Sequence, residues 1–347
     1  MPCTVFKCKI PEIDKVFAAS KFTYLDHLNI SEAPISTLCW LYNAPNIRVL
    51  DLSGCSLLVD EDFQVFVDCF NLEQLYLSFT NITYVSNFFY KRKLSTYTLT
   101  AHSSKDGCAY NCIWHEAISG RGANDIASAV VTILKHIKRA HHEIASFILW
   151  SDACVPQNKN SVMSFALKRF MKDCNIESIV QKFGCPGHSS VQEVDNIHSN
   201  IERITRYAEI YSPIALIRDL KSMRRSSVRI IQMQKHNFMD YQKCIMPLKF
   251  NEIPFTKVKC LKYDKCLPFH IGYKLSYSAT DFRTAHIEIR QTGARTNKQP
   301  EFLPRPAQSN KVPIISQDKK KDITCMLKYM PEVDRQFYKA LKLVINE

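Results

Sequence analysis

The sequence has few glycines, no long apolar run and no signal-like beginning. Only 8 of its 347 residues are glycine, and 46% are hydrophobic against 23% charged, which is typical of a globular chain rather than a disordered one. No apolar stretch approaches the ~18 residues of a membrane-spanning helix. The first residues lack the basic-then-apolar order of a secretory signal. We therefore expect an intracellular protein, nuclear or cytoplasmic, without a membrane partner.

The 14 cysteines are scattered, and no two of them are separated by only two residues. Zinc ribbons and thiol redox motifs are built on such Cys-x-x-Cys pairs. Their absence from the sequence predicts free thiols in a reducing compartment.

The charge divides the chain into two parts. Residues 1–90 contain 5 Lys and Arg against 10 Asp and Glu, whereas residues 91–347 contain 41 against 23, a net charge of +18. Such asymmetry indicates two modules with different partners. A strongly basic module attracts polyanions, nucleic acid first among them. A basic surface that serves only solubility is the alternative.

Three copies of a Leu-x-x-Leu-x-Leu pattern occupy the first part. They begin at Leu25, Ile47 and Leu72, with periods of 22 and 25 residues, inside the roughly 20–29-residue range of leucine-rich repeats. Asn46 and Asn71 precede the second and third copies alike. Residues from about 22 to 85 resemble leucine-rich repeats, including those of ubiquitin-ligase substrate receptors. The resemblance implies stacked short parallel strands with buried leucines, and a protein-binding face formed by Asp51, Ser53, Tyr76 and Ser78.

The remaining chain alternates between predicted strands and helices. The patterns predict strands over 88–102, 108–116, 147–150 and 177–183, and helices over 124–140, 160–174 and 189–211. We place the domains at 1–87 and 88–290, followed by a polar, proline-rich linker over 291–313 and a helical tail over 314–347.

Carboxylates stand on two of these elements. Asp152 follows the strand 147–150, and Glu193 and Asp195 open the last predicted helix. Carboxylate oxygens are hard ligands for Mg²⁺, and phosphoryl transfer uses metals held by carboxylates from separate elements. The pattern favours a divalent-metal site formed by Asp152, Asp195 and Glu193. A turn or helix-capping role for Asp152 is the alternative.

The motifs FYKRKL, WHE, WSDACVPQNKN and GHSSVQEVDNIHSNIE, in this order, resemble transposon-derived proteins of the DDE transposase family. The resemblance covers residues from about 88 to 341. It implies an RNase H-like fold, DNA cutting and joining, and Mg²⁺ or Mn²⁺ as the cofactor of an active member. In that family a strand ahead of FYKRKL carries the first catalytic aspartate, and here the third repeat takes its place.

The resemblance also implies roles for single residues. Asp152 matches the second catalytic acid and Asp195 the third, whereas the helical wheel puts Glu193 nearer the buried edge, so both stay open. His188 and His198 assist proton transfer or bind substrate, or else are structural. The residues expected to contact DNA are Gln157, Asn158, Lys159, Asn160, Arg224 and Arg225. For the amides among them, capping the following helix is an equal alternative.

These observations predict an α/β chain, with a short leucine-rich repeat solenoid fragment followed by an incomplete RNase H-like mixed sheet with flanking helices. The predicted function is that of a catalytically inactive, DNA-binding transposase remnant fused to protein-binding repeats. One alternative is an interaction protein such as a ubiquitin-ligase substrate adaptor. Another is an active metal-dependent nuclease or transposase that recruits a further acid, such as Glu116 or Asp106.

Overall fold

The computed structural model of the chain gives an α/β protein with several sheets. It describes residues 15, 21–59, 62–63, 65–66, 69, 71–78, 80, 91–184, 193–206, 208–221, 228–290, 305–309 and 315–341. The chain divides into two units, Met1–Arg92 and Lys93–Glu347. Over the described ranges the sheets mix parallel with antiparallel pairs, and none of them closes into a barrel.

The first unit is built on three short parallel strands, as the sequence predicts. They are β1 (His27–Asn29), β2 (Val49–Asp51) and β3 (Gln74–Tyr76), and a 3₁₀ helix, Cys39–Asn43, lies between the first two. Leu28, Leu50 and Leu52 are fully buried. Leu75 and Leu77 pack on the same cluster but are only partly buried, since in the described part of the chain β3 has a neighbouring strand on one side alone.

The equivalent asparagines of this unit make equivalent hydrogen bonds. The amide of Asn46 donates to the carbonyl of Thr23 at 2.6 Å, and that of Asn71 to the carbonyl of Pro45 at 2.8 Å. Each bond ties the start of one repeat to the chain of the repeat before it. The matching positions in the sequence therefore reflect matching structural roles.

The second unit begins with the predicted series of elements. These are β4 (Thr96–Ser103), β5 (Cys108–His115), α1 (Ala123–Ala140), β6 (Ser146–Ser151), α2 (Ser161–Cys174), β7 (Ser178–Phe183) and α3 (Glu193–Thr205). Gly107, with φ +63°, forms the β4–β5 turn, a conformation that glycine adopts without strain. The start of the first predicted strand, residues 88–90, lies outside the described residues.

Smaller elements complete the second unit. They are α4 (Pro213–Lys221), β8 (Val228–Gln232), α5 (Tyr241–Ile245), β9 (Leu248–Lys249), β10 (Cys260–Asp264), β11 (His270–Lys274), β12 (Arg283–His286), β13 (Glu288–Ile289), α6 (Gln317–Met326) and α7 (Glu332–Ala340). The tail, predicted to be helical, contains the two short helices α6 and α7. Part of the predicted linker is attached to the unit, because Gln308 forms an isolated bridge with Met239.

The strands do not join into one mixed sheet within the described ranges. One sheet has the order β12-β11-β10-β7-β6, another the order β4-β5-β8, and β9 pairs with β13. The interpretation of residues 88–183 as the strands of a single sheet missed these partners. β10, which follows β7 by some 80 residues, pairs antiparallel with it, and β8 pairs parallel with β5.

Helices α1 and α2 form one core with both of these sheets. Tyr110, Cys112 and Trp114 of β5 belong to the same buried cluster as Phe165 and Phe170 of α2 and Leu261 and Tyr263 of β10. On the opposite face of β5, Ile113 packs with Ile217 and Leu220 of α4. None of the helices in the described ranges is long and apolar enough to cross a membrane.

Candidate functional site

Asp152 immediately follows β6 and organises the loop that leads to α2. Its Oδ1 accepts a hydrogen bond from the side-chain amide of Asn158. The backbone N–H of Asn158 donates to the carbonyl of Cys154 at 2.8 Å, and so does that of Gln157 at 3.2 Å. The carboxylate is exposed. Asp152 therefore lies at the strand end predicted for it, and one of its oxygens already holds the loop together.

Asn160 is the N-cap of α2. Its Oδ1 accepts from the backbone N–H of Met163 at 2.9 Å, and its amide donates to the carbonyl of Val155 at 2.9 Å. An N-cap satisfies a backbone donor that the first helical turn leaves free. Of the two roles considered for the amides of this segment, capping is the one that Asn160 performs.

Lys159, next to this cap, points inward and is only 4% exposed. Its ammonium donates to the carbonyl of Thr256 at 3.3 Å and lies 5.4 Å from the centre of the Phe183 ring. Burial, together with the charge of Lys259, lowers the pKa of the Lys159 ammonium. Lys159, which the sequence predicts to contact DNA, is therefore packed in the interior of the protein.

The acids of α3 are on a helix that packs against β4, whereas Asp152 follows β6, a strand of another sheet. Glu193 and Asp195 occupy the first turn of α3, where negative charge suits the helix dipole. Both are exposed, as is His198. The helix packs against β4 and α4, with Ile201 contacting the cluster around Ile113. His188, Arg224 and Arg225 lie outside the described residues.

The described residues show no ready-made metal centre. Across the described ranges, no three His, Cys, Asp or Glu side chains gather into a group that could hold a metal ion. The assignment of Asp152, Glu193 and Asp195 as metal ligands stays a prediction.

Glu116 and Asp106, the acids considered as substitutes, are both engaged in structural contacts. Glu116 Oε1 accepts from the Lys319 ammonium at 2.7 Å and from the Ser95 backbone N–H at 2.6 Å. Asp106 accepts from the hydroxyl of Tyr110 at 2.8 Å and lies 3.1 Å from His141 Nε2. Burial alone would raise the pKa of Asp106, but these and further hydrogen bonds together hold it well below its usual range.

Basic and aromatic side chains that sequence reasoning missed lie together on the five-stranded sheet. Lys182 of β7, Lys262 of β10 and Lys274 of β11 occupy positions whose neighbours in sequence face the core. Trp150 of β6 lies beside Lys182. The alternation of apolar and polar residues along each strand indicates which side chains point away from the core. It does not indicate which strands are neighbours, and it is the pairing of the strands that brings these lysines and Trp150 together.

In comparisons with protein-family models, with curated proteins and with solved structures, nothing matches this chain.

Proposed function

We propose that the second unit binds DNA without cutting it, as the remnant of a DDE transposase, and that the first unit is a protein-binding leucine-rich repeat fragment. The observation that carries the proposal is the concentration of charge, since residues 91–347 hold a net +18 while residues 1–90 are acidic. Neutralising phosphates with lysine and arginine releases counterions, which drives sequence-independent binding of nucleic acid.

The order of the strands and helices supports the proposal that the second unit is the remnant of a DDE transposase. The series β4, β5, α1, β6, α2, β7, α3 is that of an RNase H-like domain without its first strand. In the described part of the chain, β4 and β6 are edge strands of their sheets. A strand added next to either of them would extend the hydrogen-bonding ladder, so both sheets have an edge that a first strand could join.

The acids considered as catalytic residues are engaged in other contacts, which supports the proposal that the chain does not cut DNA. Asp152 is bonded to Asn158, Glu116 to Lys319, and Asp106 to Tyr110. Each bond stabilises a loop or a helix in the resting structure. The proposed function requires neither Mg²⁺ nor Mn²⁺, because phosphate contacts by cationic side chains are sufficient for binding.

The repeats are supported by their regular backbone bonds. The N–H groups of Arg48 and Val49 both donate to the carbonyl of Asp26, and those of Glu73 and Gln74 both donate to the carbonyl of Arg48. Just before β2 and β3, the guanidinium of Arg48 pairs with Glu73 at 2.8 Å, and Tyr76 at the end of β3 is 49% exposed. Exposed charged and aromatic side chains at the ends of parallel strands suit a protein partner.

The test is binding of labelled DNA of arbitrary sequence to the full chain at increasing salt. We expect affinity to fall by about 10³-fold or more between roughly 50 and 200 mM salt if six or more phosphates are contacted. A second DNA of unrelated sequence is the control and should bind with similar affinity. Binding that is absent, or that does not change with salt, would favour the alternative, an adaptor that acts through the repeats.

A further inference from the structure

One face of the five-stranded sheet is not covered by the core. On β6 and β7, Phe147, Leu149, Ile179 and Phe183 belong to the core cluster around α2. The residues between them point to the opposite side of the sheet, which we name the open face. At its β6 edge, Ile148 is 63% exposed and Trp150 is 55% exposed. Large side chains are therefore accessible there.

Aromatic rings and lysines alternate on the open face. The Lys182 ammonium lies 4.9 Å from the centre of the Trp150 ring. Tyr277, 42% exposed, stacks near Trp150 with ring centroids 6.2 Å apart and an interplanar angle of 24°. Its hydroxyl donates to the carbonyl of Phe183, which anchors the ring at the end of β7.

A second pair of the same kind lies further across the sheet. The Lys274 ammonium is 4.6 Å from the centre of the Phe282 ring. A Cβ added at Gly272 would come within 3.3 Å of both Phe282 and Lys262. The glycine therefore lets the Phe282 ring approach the sheet, and it brings this aromatic–lysine pair next to Lys262.

The charge of the open face is positive. Lys182, Lys262 and Lys274 stand on three adjacent strands, and in the described ranges none of them forms an ion pair with a carboxylate. The acid among the strand positions of this face, Asp264, lies opposite Ser178 at the far end of β10. Adjacent strands are about 4.8 Å apart, so three cations cross the sheet within roughly 10 Å.

Exposed rings among cations that have no carboxylate partner fit a polyanion that offers flat faces. The Lys274 ammonium also donates to the backbone carbonyls of Ala279 and Thr280, at 2.7 and 2.9 Å. In a duplex the bases are stacked on one another, whereas a single strand can place its bases on aromatic side chains and its phosphates on lysines. We propose that the open face binds single-stranded nucleic acid, with bases stacked on Trp150 and Tyr277 and phosphates contacting Lys182, Lys262 and Lys274. The inference rests on the proposed function, which requires only that the second unit bind nucleic acid.

Tryptophan fluorescence provides a direct test with the full chain. Of the three tryptophans, Trp40 and Trp114 are each 2% exposed, so Trp150 is the one that a base can reach. We expect an oligothymidine to quench the Trp150 emission as it binds. Trp150→Phe keeps an aromatic ring and should retain binding while losing the quenching.

Affinity measurements separate stacking from charge. We expect Trp150→Ala or Tyr277→Ala to weaken oligothymidine binding by roughly 5- to 150-fold, the usual effect of losing one stacked base, and to change duplex binding by less than about two-fold. Met246→Ala is the matched control, because Met246 is 67% exposed and lies outside this sheet. Circular dichroism checks that each variant is folded.

The remaining outcomes separate this inference from the proposed function. If DNA still binds with strong salt dependence, but without quenching and equally well in Trp150→Ala, the open face is not the site and the proposed function stands. Self-association of the chain that Trp150→Ala abolishes, with DNA binding unchanged, would also overturn the inference. If neither single-stranded nor duplex DNA binds at all, the proposed function fails together with it.

Discussion

The ammonium of Lys319 lies 2.7 Å from Oε1 of Glu116, although 203 residues separate them in sequence. The two side chains are 19% and 16% exposed, so the pair is largely shielded from water. It fastens α6 to the end of β5, where the backbone N–H of Ser95 donates to the same carboxylate. The run of three lysines from Lys319 to Lys321 in the tail therefore begins with a residue that stabilises the fold.

This pair predicts unequal effects within the lysine run. We expect Lys319→Ala to lower the free energy of unfolding by about 1–3 kcal/mol, because it leaves a shielded carboxylate without its cationic partner and with only the Ser95 N–H as a donor. Lys321→Ala is the control, since Lys321 is exposed and such a change usually stays within about 0.5 kcal/mol. Urea denaturation followed by circular dichroism measures both. Equal effects would show that the pair does not hold α6.

His115 predicts a loss of stability in mild acid. Burial lowers the pKa of His115 to about 4, against the opposing effect of Glu116, and its Nδ1 has no hydrogen-bond partner in the described structure. Between the ordinary histidine pKa of about 6.5 and this value, the unfolded chain binds the proton more tightly, so stability falls as the pH falls.

The measurement is the urea midpoint as a function of pH. In His115→Gln the decline between about pH 6.5 and pH 4 should be smaller than in the unmodified chain. His142→Gln should leave the decline unchanged, because His142 is exposed. An identical pH profile for all three chains would refute the assignment.

The N-cap at Asn160 predicts a difference between two substitutions. Asn160→Ala should destabilise the chain by about 1 kcal/mol through loss of the bond from Met163. Asn160→Asp keeps the acceptor for the Met163 N–H but loses the donor to the Val155 carbonyl, so it should recover part of that loss. If DNA affinity falls in Asn160→Asp while stability does not, the residue contacts phosphate in addition to capping the helix.

The repeat core predicts a large effect at Leu50. This side chain is fully buried on β2, and Leu50→Ala should cost about 2–5 kcal/mol. Leu57→Ala is the control, because Leu57 is 54% exposed. Hydrogen exchange of the amides in β1, β2 and β3 measures the change locally. Unchanged protection in Leu50→Ala would contradict the stacked arrangement of the strands.

Local patterns were sufficient for most single elements. The apolar stripe of α1 and the alternation of β7 predict those elements nearly to their ends, and the recurrence of Asn46 and Asn71 predicts the stacked repeats. Strand pairing is a long-range property, however. Nothing local in residues 260–264 indicates that β10 pairs with β7, and this pairing is what creates the open face.

The site was predictable only in part, for a similar reason. Asp152 was expected at a strand end, because a polar residue after an apolar run predicts that position, and it lies there. Lys159 was expected to contact DNA. Its long side chain is instead buried, because its ammonium reaches the carbonyl of Thr256, which is 97 residues away in sequence. The residues around Lys159 in the sequence do not indicate that a hydrogen-bond acceptor so far along the chain will lie next to its ammonium.

The central claim is that the second unit holds DNA without cutting it. The most direct measurement incubates the full chain with labelled DNA and Mg²⁺ or Mn²⁺, at a protein concentration that keeps the DNA bound, and analyses the strands on a denaturing gel. We predict bound and intact DNA, because two-metal cleavage requires carboxylates on both sides of the metal pair and the third repeat stands where the resemblance expects the strand with the first acid. Metal-dependent cleavage that Asp152→Ala abolishes would contradict the claim and show that another acid completes the site.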